Sequence, residues 1–469
     1  MPKPTLLGTA LLLAGLAITS ATLEGDRASS IARYAAYGTA ISIGASVLVD
    51  ITRGVRNLIR ADLMGIIALF FLTLFEFFYK QTDFDTMVDR RTVMIGVQAV
   101  LMGFAGLAVG RHLPNLKKAP FNEVFTTPLS PKIMMVIFWL AMIVGYFHQF
   151  LAVNFNPSDV FMWYLEPRFT APWGRGKFGD WKALITELGL LIYLIPPLAG
   201  VMLAKRHAYT RGQLTLVSLG LAWTMFFGFS GGTRNVFACF LVTFMIAYNF
   251  ALPKNKTKEF LIVAGTCAVL MLVSTKVMLE FRNMGLRNYL EGNQSKELDT
   301  EQTLFVDYNL YVICGLAQVF PDRVPYLGWQ VPYLALIRPV PRAMWPGKPE
   351  GLSEAIEDAL GVEGLTLASS FVGEAYIANG YYGVFWAGLF FGIMAGWWSH
   401  LASPRNSDFG ILIYASGFFA TVISMRSLFV FTTAILPTMA AIVGGSILVS
   451  KLRAQQANRP PPPPRFPRQ

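Results

Sequence analysis

Apolar runs recur along this chain at intervals set by polar breaks. Each run is dominated by Leu, Ile, Val, Phe, Ala and Gly and extends for about 18 to 22 residues, the length a helix needs to cross a hydrocarbon core. They predict about twelve helices, near 5–22, 34–50, 61–79, 92–110, 131–152, 183–204, 212–231, 235–252, 259–279, 380–400, 409–424 and 429–450. A membrane barrel would instead alternate apolar and polar positions over strands of about ten residues. The predicted fold is therefore all-α, a polytopic integral membrane protein. Gly and Pro inside the spans, as at Pro196-Pro197 and Gly444-Gly445, are tolerated where neighbouring helices satisfy the freed backbone groups. Residues 1–22 carry Lys3 and an apolar run that resembles a signal peptide; in a chain with many later spans they read as a retained first helix.

Composition agrees with the pattern. Hydrophobic residues are 54% of the 469 positions and charged residues 14%, where a soluble chain carries about a quarter charged. The net charge of +11 would suggest nucleic acid in a soluble protein. Here its distribution sets orientation, and no nucleic-acid partner is expected. Arg53, Arg56 and Arg60 fall in one short loop. Arg111, Lys117 and Lys118 fall in another, then Lys205, Arg206 and Arg211, then Lys254, Lys256 and Lys258, then a basic tail ending in Pro460–Pro464 and Arg468. These loops share one face if both termini are cytoplasmic.

The predicted organisation follows. Residues 1–152 hold five helices, 183–279 four and 380–450 three, with a Pro-rich cytoplasmic tail at 451–469. Two long loops, 153–182 and 280–379, fall on the opposite face and exceed what a connector needs. The second contains an amphipathic piece near Thr303–Phe320 and is expected to lie on the membrane surface as a lid. Cys239, Cys267 and Cys314 are dispersed, as are the four histidines. No metal-ligand spacing and no disulfide framework results, and no cofactor is expected.

Candidate chemistry concentrates in those loops and in a few isolated arginines. The first loop reads EPRFTAPWGRGKFGDW, with Arg168 and Arg175 among aromatics. Glycines beside Arg175 let an anion approach the backbone, and aromatic rings can stack on sugar faces. Arg234 in SGGTRN, Arg282 in EFRNMG and Arg426 in SMRSLF sit at helix ends with little loop around them. They either snorkel to lipid headgroups or converge on an anion such as a diphosphate, which guanidinium groups bind in bidentate fashion. The second loop carries Arg338, Arg342 and Lys348 around Trp345, stiffened by four prolines. Ser353 reads as the N-cap of a short helix. Glu374, near Tyr376 at the mouth of an apolar span, is either an arginine partner or a proton acceptor in low dielectric. Lys276 and Glu280 are spaced to pair on one helix face.

With RPVPRAMWPGKP followed by SFVGEAYIANGYYG, the loop EPRFTAPWGRGKFGDW and the SGGTRN hairpin, the chain resembles the Wzy-type O-antigen and oligosaccharide repeat-unit polymerases. The motifs cover about a fifth of the chain. The resemblance implies a membrane glycosyltransferase of the bacterial inner membrane. Its activity is to join polyprenyl-diphosphate-linked oligosaccharides on the periplasmic face into a surface polysaccharide, with a chain-length regulator as partner. It also implies that Arg168, Arg175, Arg338 and Arg342 contact substrate. The addition of Arg234, Arg282 and Arg426, with Trp345, Lys348 and Tyr376 beside them, rests on placement in this sequence, as does Glu374 as candidate base. Two other readings use the same donor: a ligase that moves the finished glycan to another acceptor, and a flippase or exporter of lipid-linked sugar.

Overall fold

The computed structural model describes residues 3–81, 83–113, 122–167, 170–173, 185–253, 255–281, 284–292, 309–340, 344–345, 347–349, 369–403 and 405–457. Among them every regular element is helical. The long helices, in chain order, are α1 (Leu6–Ala21), α2 (Ala28–Ile51), α3 (Ala61–Thr73), α4 (Arg90–Gly110), α5 (Pro131–Ala152) and α6 (Ile185–Ala204), then α7 (Arg211–Ser230), α8 (Arg234–Ala251), α9 (Thr257–Phe281), α10 (Ser370–His400), α11 (Asp408–Ser424) and α12 (Leu436–Ala457). Nine helical segments among the described residues are long and apolar enough to cross a membrane, as a multi-pass membrane protein requires. Three of the twelve predicted positions hold shorter apolar helices, α1, α3 and α11. α3 ends at Thr73, and the chain continues as a 3₁₀ turn over Phe75–Phe78.

The most extensive helix pair is α4 with α10. Glycines make it so. A Cβ on Gly106 would lie 2.4 Å from the Phe385 carbonyl oxygen, and one on Gly392 would lie 2.6 Å from that of Leu107. Gly388 and Gly396 meet the backbone at Gly103 and Arg111 in the same way. Lipid tails are as apolar as leucine, so helices in a bilayer associate through close packing, and small residues permit it. α1 and α2 pack on this pair, and a second group of α5, α6, α7 and α8 packs around α11.

One end of the bundle is closed by buried charge. Arg60 donates to Asp50 at 2.7 Å and to Asp62 at 3.1 Å, all three with side chains essentially inaccessible. Arg111, also buried, donates to Thr9 and lies 3.9 Å from Asp62. Thr5 and Ser399 donate to Asp50 and Asp62 at 2.6 and 2.9 Å. Two arginines counted above among loop charges are therefore internal ties that join α1, α2, α3, α4 and α10. The charges balance, two against two, which is the condition for burying them.

Two parts of the long loop expected over 280–379 belong to the core instead. Asn309–Val319 is not a surface lid. It buries Leu310, Ile313, Cys314 and Leu316, and Cys314 seats against Gly96 of α4. Eight of its eleven residues are buried, and the exposed position is Gln318 near its end. Gln318 ties it to Asp89 at 3.1 Å. Asp89 caps α4 by accepting from Thr92, and those bonds hold its carboxyl below the usual carboxylate range.

The second part is the start of α10, which begins at Ser370 rather than Gly380, with 370–377 buried. α10 breaks at Asn379 and Gly380. The carbonyls this leaves at Ile377 and Ala378 accept from Leu327 and Gly328, each at 3.0 Å. Gly380 has φ +55°, and a Cβ there would meet the Tyr326 hydroxyl at 2.6 Å. Glu280 of α9 accepts a 2.7 Å bond from Tyr289; the expected pair with Lys276 is not tested, because the Lys276 side chain lies outside the described residues.

Two predictions follow from this packing. Gly392→Ala lowers the thermal stability of the detergent-solubilised protein by about 1–3 kcal/mol of overpacking. Gly444→Ala, with nothing within 4 Å of the added carbon, does not; equal melting temperatures would refute the backbone contact. Arg60→Ala costs about 3–5 kcal/mol by stranding buried carboxylates, while removal of the exposed Arg53 side chain leaves folded yield unchanged on size-exclusion chromatography.

Candidate functional site

The other end of α10 holds the candidate site. Its geometry begins with a helix that does not cap itself. Leu428–Ala434 starts after Ser427, whose side chain makes no cap bond to its own helix. The first N–H groups of any helix need acceptors from elsewhere. Glu374 of α10 supplies them. Its Oε1 accepts from the Ser427 hydroxyl at 2.6 Å, and its Oε2 accepts from the Leu428 N–H. Acceptor oxygens at a helix N-terminus satisfy donors the helix cannot pair itself. Glu374 is 8% exposed, and the preceding Gly373 lets the turn at Ser369 close: a Cβ there would lie 2.4 Å from Ser369 Cβ. The Phe371 N–H also donates to the Met425 carbonyl at 3.3 Å, so the start of α10 is sewn to the end of α11.

Arg338 lies within electrostatic reach of the Glu374 carboxylate. It stands at the C-terminus of helix Gln330–Ile337, where a cation is stabilised by the helix dipole. Lys348 folds back onto that terminus and donates from Nζ to the carbonyls of Arg338 at 2.8 Å and Val340 at 2.9 Å. The helix has two faces. Val331 and Ala335 are buried, and the Ala335 carbonyl accepts from Thr432 at 3.0 Å. Trp329, Tyr333 and Leu336 are exposed, at 87%, 49% and 71%. Their spacing puts them on one side of the helix, and exposed aromatics of this kind suit a membrane interface. Arg338 thus sits at the end of an exposed apolar surface and within electrostatic reach of a buried glutamate.

The expected residues distribute as follows. Arg338, Glu374 and Arg426 are brought together, because Arg426 immediately precedes the Ser427 that Glu374 holds. Trp345 is exposed close by in sequence to Lys348. Tyr376 is buried between the rings of Tyr326 and Tyr381, at centroid distances of 6.2 and 5.7 Å, and lines the α10 break instead of the open face. Arg234 begins α8 and belongs to the other helix group. Arg168, Arg175, Arg282, Arg342 and the Ser353 cap lie outside the described residues. In the first loop, Tyr164 is a core residue: its hydroxyl donates to Gln149, and its ring packs on Trp173, Trp223 and Phe227.

The sequence reading missed two features. One is the Asp50–Arg60–Asp62–Arg111 tie, whose signal is two acids bracketing an arginine where two apolar runs meet. The other is His148 of α5, which faces a cavity described below. No family model, no curated protein and no solved structure matches the chain.

The Glu374 contact predicts a coupling. Glu374→Ala strands the Ser427 and Leu428 donors and costs about 1–3 kcal/mol. Because the partners act together, the Glu374→Ala/Ser427→Ala double variant loses less than the sum of the single losses. Additive losses in thermal melts would contradict the contact.

Proposed function

We propose that this protein is a glycan polymerase that joins polyprenyl-diphosphate-linked oligosaccharide repeat units on the periplasmic face of the bacterial inner membrane. In this reading the chain crosses the bilayer twelve times with both termini cytoplasmic. The Glu374 end of the bundle faces the periplasm, and the basic loops of the Arg60 end face the cytoplasm, in keeping with the positive-inside rule.

The observation that carries the reading is the placing of Arg338 within electrostatic reach of Glu374, at the end of the helix that exposes Trp329, Tyr333 and Leu336. A lipid-linked anion has the matching build. Its hydrocarbon lies along an apolar surface while its diphosphate meets guanidinium groups at the edge. Arg338, Arg342 and Arg426 bind the diphosphate and stabilise the charge that grows on it as it leaves. An acceptor hydroxyl attacks the anomeric carbon, the carbon–oxygen bond to the diphosphate breaks, the hydroxyl proton passes to the departing lipid diphosphate, and the growing glycan is released from that lipid.

Glu374 was the candidate base. Both its oxygens already accept bonds from the helix that starts at Leu428, and taking a proton would weaken that cap. Here it acts to position Arg338 and the segment bearing Arg426. Lys348 holds the Arg338 terminus from the other side.

The test is the glycan ladder of cells carrying Arg338→Ala or Arg426→Ala, with membrane expression checked and a deletion strain alongside. The reading expects single lipid-linked units and loss of long polymer, a fall of about a hundredfold or more for an electrostatic group of this kind. Accumulation of long lipid-linked polymer would identify a ligase instead, and accumulation of units on the cytoplasmic face a flippase.

A further inference from the structure

A cavity of about 210 Å³ opens between α5, α6, α7 and α8. It lies away from the Glu374 contact, although the termini that frame it (α5 and α7 ending, α6 and α8 beginning) are at the same end of the bundle. Its polar lining is His148, Thr186, Glu187 and Thr233, and the rings of Tyr193 and Phe227 complete it. No lysine or arginine lines it among the described residues.

The sequence makes this space. Pro196 and Pro197 have no N–H to donate to the turn before them. Residues Leu188–Leu194 run as a 3₁₀ helix, longer than the three or four residues usual for that form, and it supplies one wall. Gly189 leaves room for the imidazole: a Cβ there would lie 2.6 Å from His148 Cε1.

The imidazole has a defined polarity. His148 Nδ1 is 3.0 Å from the Gly145 carbonyl oxygen. A carbonyl only accepts, so Nδ1 carries the proton and the neutral ring keeps an acceptor lone pair on Nε2. Glu187 makes no hydrogen bond or ion pair among the described residues and adds a second acceptor at the cavity wall. Threonine hydroxyls both donate and accept.

We propose that this cavity binds one neutral sugar ring. A sugar presents hydroxyls around its rim, each needing acceptors and donors, and apolar C–H faces that pack on aromatic rings. The lining supplies both. An anion is disfavoured by the Glu187 carboxylate, with no lysine or arginine among the described lining residues, which separates this cavity from the arginine-bearing end. The volume is below the roughly 300 Å³ at which drug-sized pockets begin, so it admits a single ring and not an oligosaccharide. The two places are mechanically joined. Tyr193 stacks on Phe419 of α11 at 3.8 Å, and from Phe419 to Arg426 is about 10 Å at the helical rise. Use of the cavity as the acceptor-sugar subsite rests on the polymerase reading; the binding of a sugar ring does not.

The test uses the full chain in nanodiscs with Thr233→Cys as reporter, labelled by a charged maleimide; the described native cysteines are all buried. Octyl glucoside, octyl galactoside and octyl mannoside are added below solubilising concentrations, with octylammonium and octyl phosphate as charge controls on the same tail. The expected result is that at least one neutral glycoside slows labelling and the charged controls do not. The concentration required then rises about tenfold in His148→Gln and in Glu187→Gln, the effect of losing one charge-assisted or acceptor bond. Val236→Cys is the second reporter. The proposal fails if no neutral glycoside protects either cysteine, if octylammonium protects better, or if neither cysteine reacts. Protection by a glycoside together with a normal glycan ladder in the Arg338→Ala strain keeps the sugar site and removes the polymerase reading. Loss of the ladder without protection removes the site alone.

Discussion

Along α4 and α10 the two backbones touch. At Gly106 and Gly110 on one side and Gly388, Gly392 and Gly396 on the other, the facing backbone leaves no room for a side chain, and this is the most extensive helix pair in the bundle. In a bilayer such contact replaces the hydrophobic drive that assembles soluble cores. Both polar centres hang from its ends. At one end, α10 supplies Ser399 to the Asp62 carboxylate and α4 supplies Arg111. At the other, α10 supplies Glu374 to the helix that begins at Leu428.

The second constraint is that no backbone polar group can be left bare in hydrocarbon. It explains the detail around the break in α10. The carbonyls of Ile377 and Ala378 find Leu327 and Gly328, and this contact docks the segment that leads into helix Gln330–Ile337. The break thus docks the segment whose helix ends at Arg338, within electrostatic reach of Glu374. Without it, the exposed Trp329–Leu336 face and the buried carboxylate would have no reason to adjoin.

Much of this was legible in the sequence. A helix stands at each of the twelve predicted positions, because apolar run length is a strong signal and lipid enforces it. Number of crossings is a finer matter, since α1, α3 and α11 are shorter than the other candidates. The site was legible as a list of charged residues near one another in topology. The partners were not legible. Glu374 meeting Ser427, or Arg60 meeting Asp50, joins residues on different helices, and a single sequence carries no periodicity that pairs them. Asn309–Val319 was misjudged because a mostly buried helix and an amphipathic surface helix differ only in a few positions over eleven residues. His148 was passed over as an isolated histidine; only the proline-induced 3₁₀ turn beside it makes a cavity.

The seam carries an arginine-bearing end beside Glu374, and a separate cavity lined by His148, Thr186, Glu187 and Thr233 lies between α5, α6, α7 and α8. Such a division suits a reaction between a charged lipid-linked donor and an uncharged acceptor sugar. The most direct measurement is reconstitution of the purified protein alone into liposomes with lipid-linked repeat units, followed by glycan length on a gel. The account predicts that units lengthen into polymer still attached to lipid, with no nucleotide or other protein supplied. Units that remain single while the protein is folded and correctly inserted would contradict it.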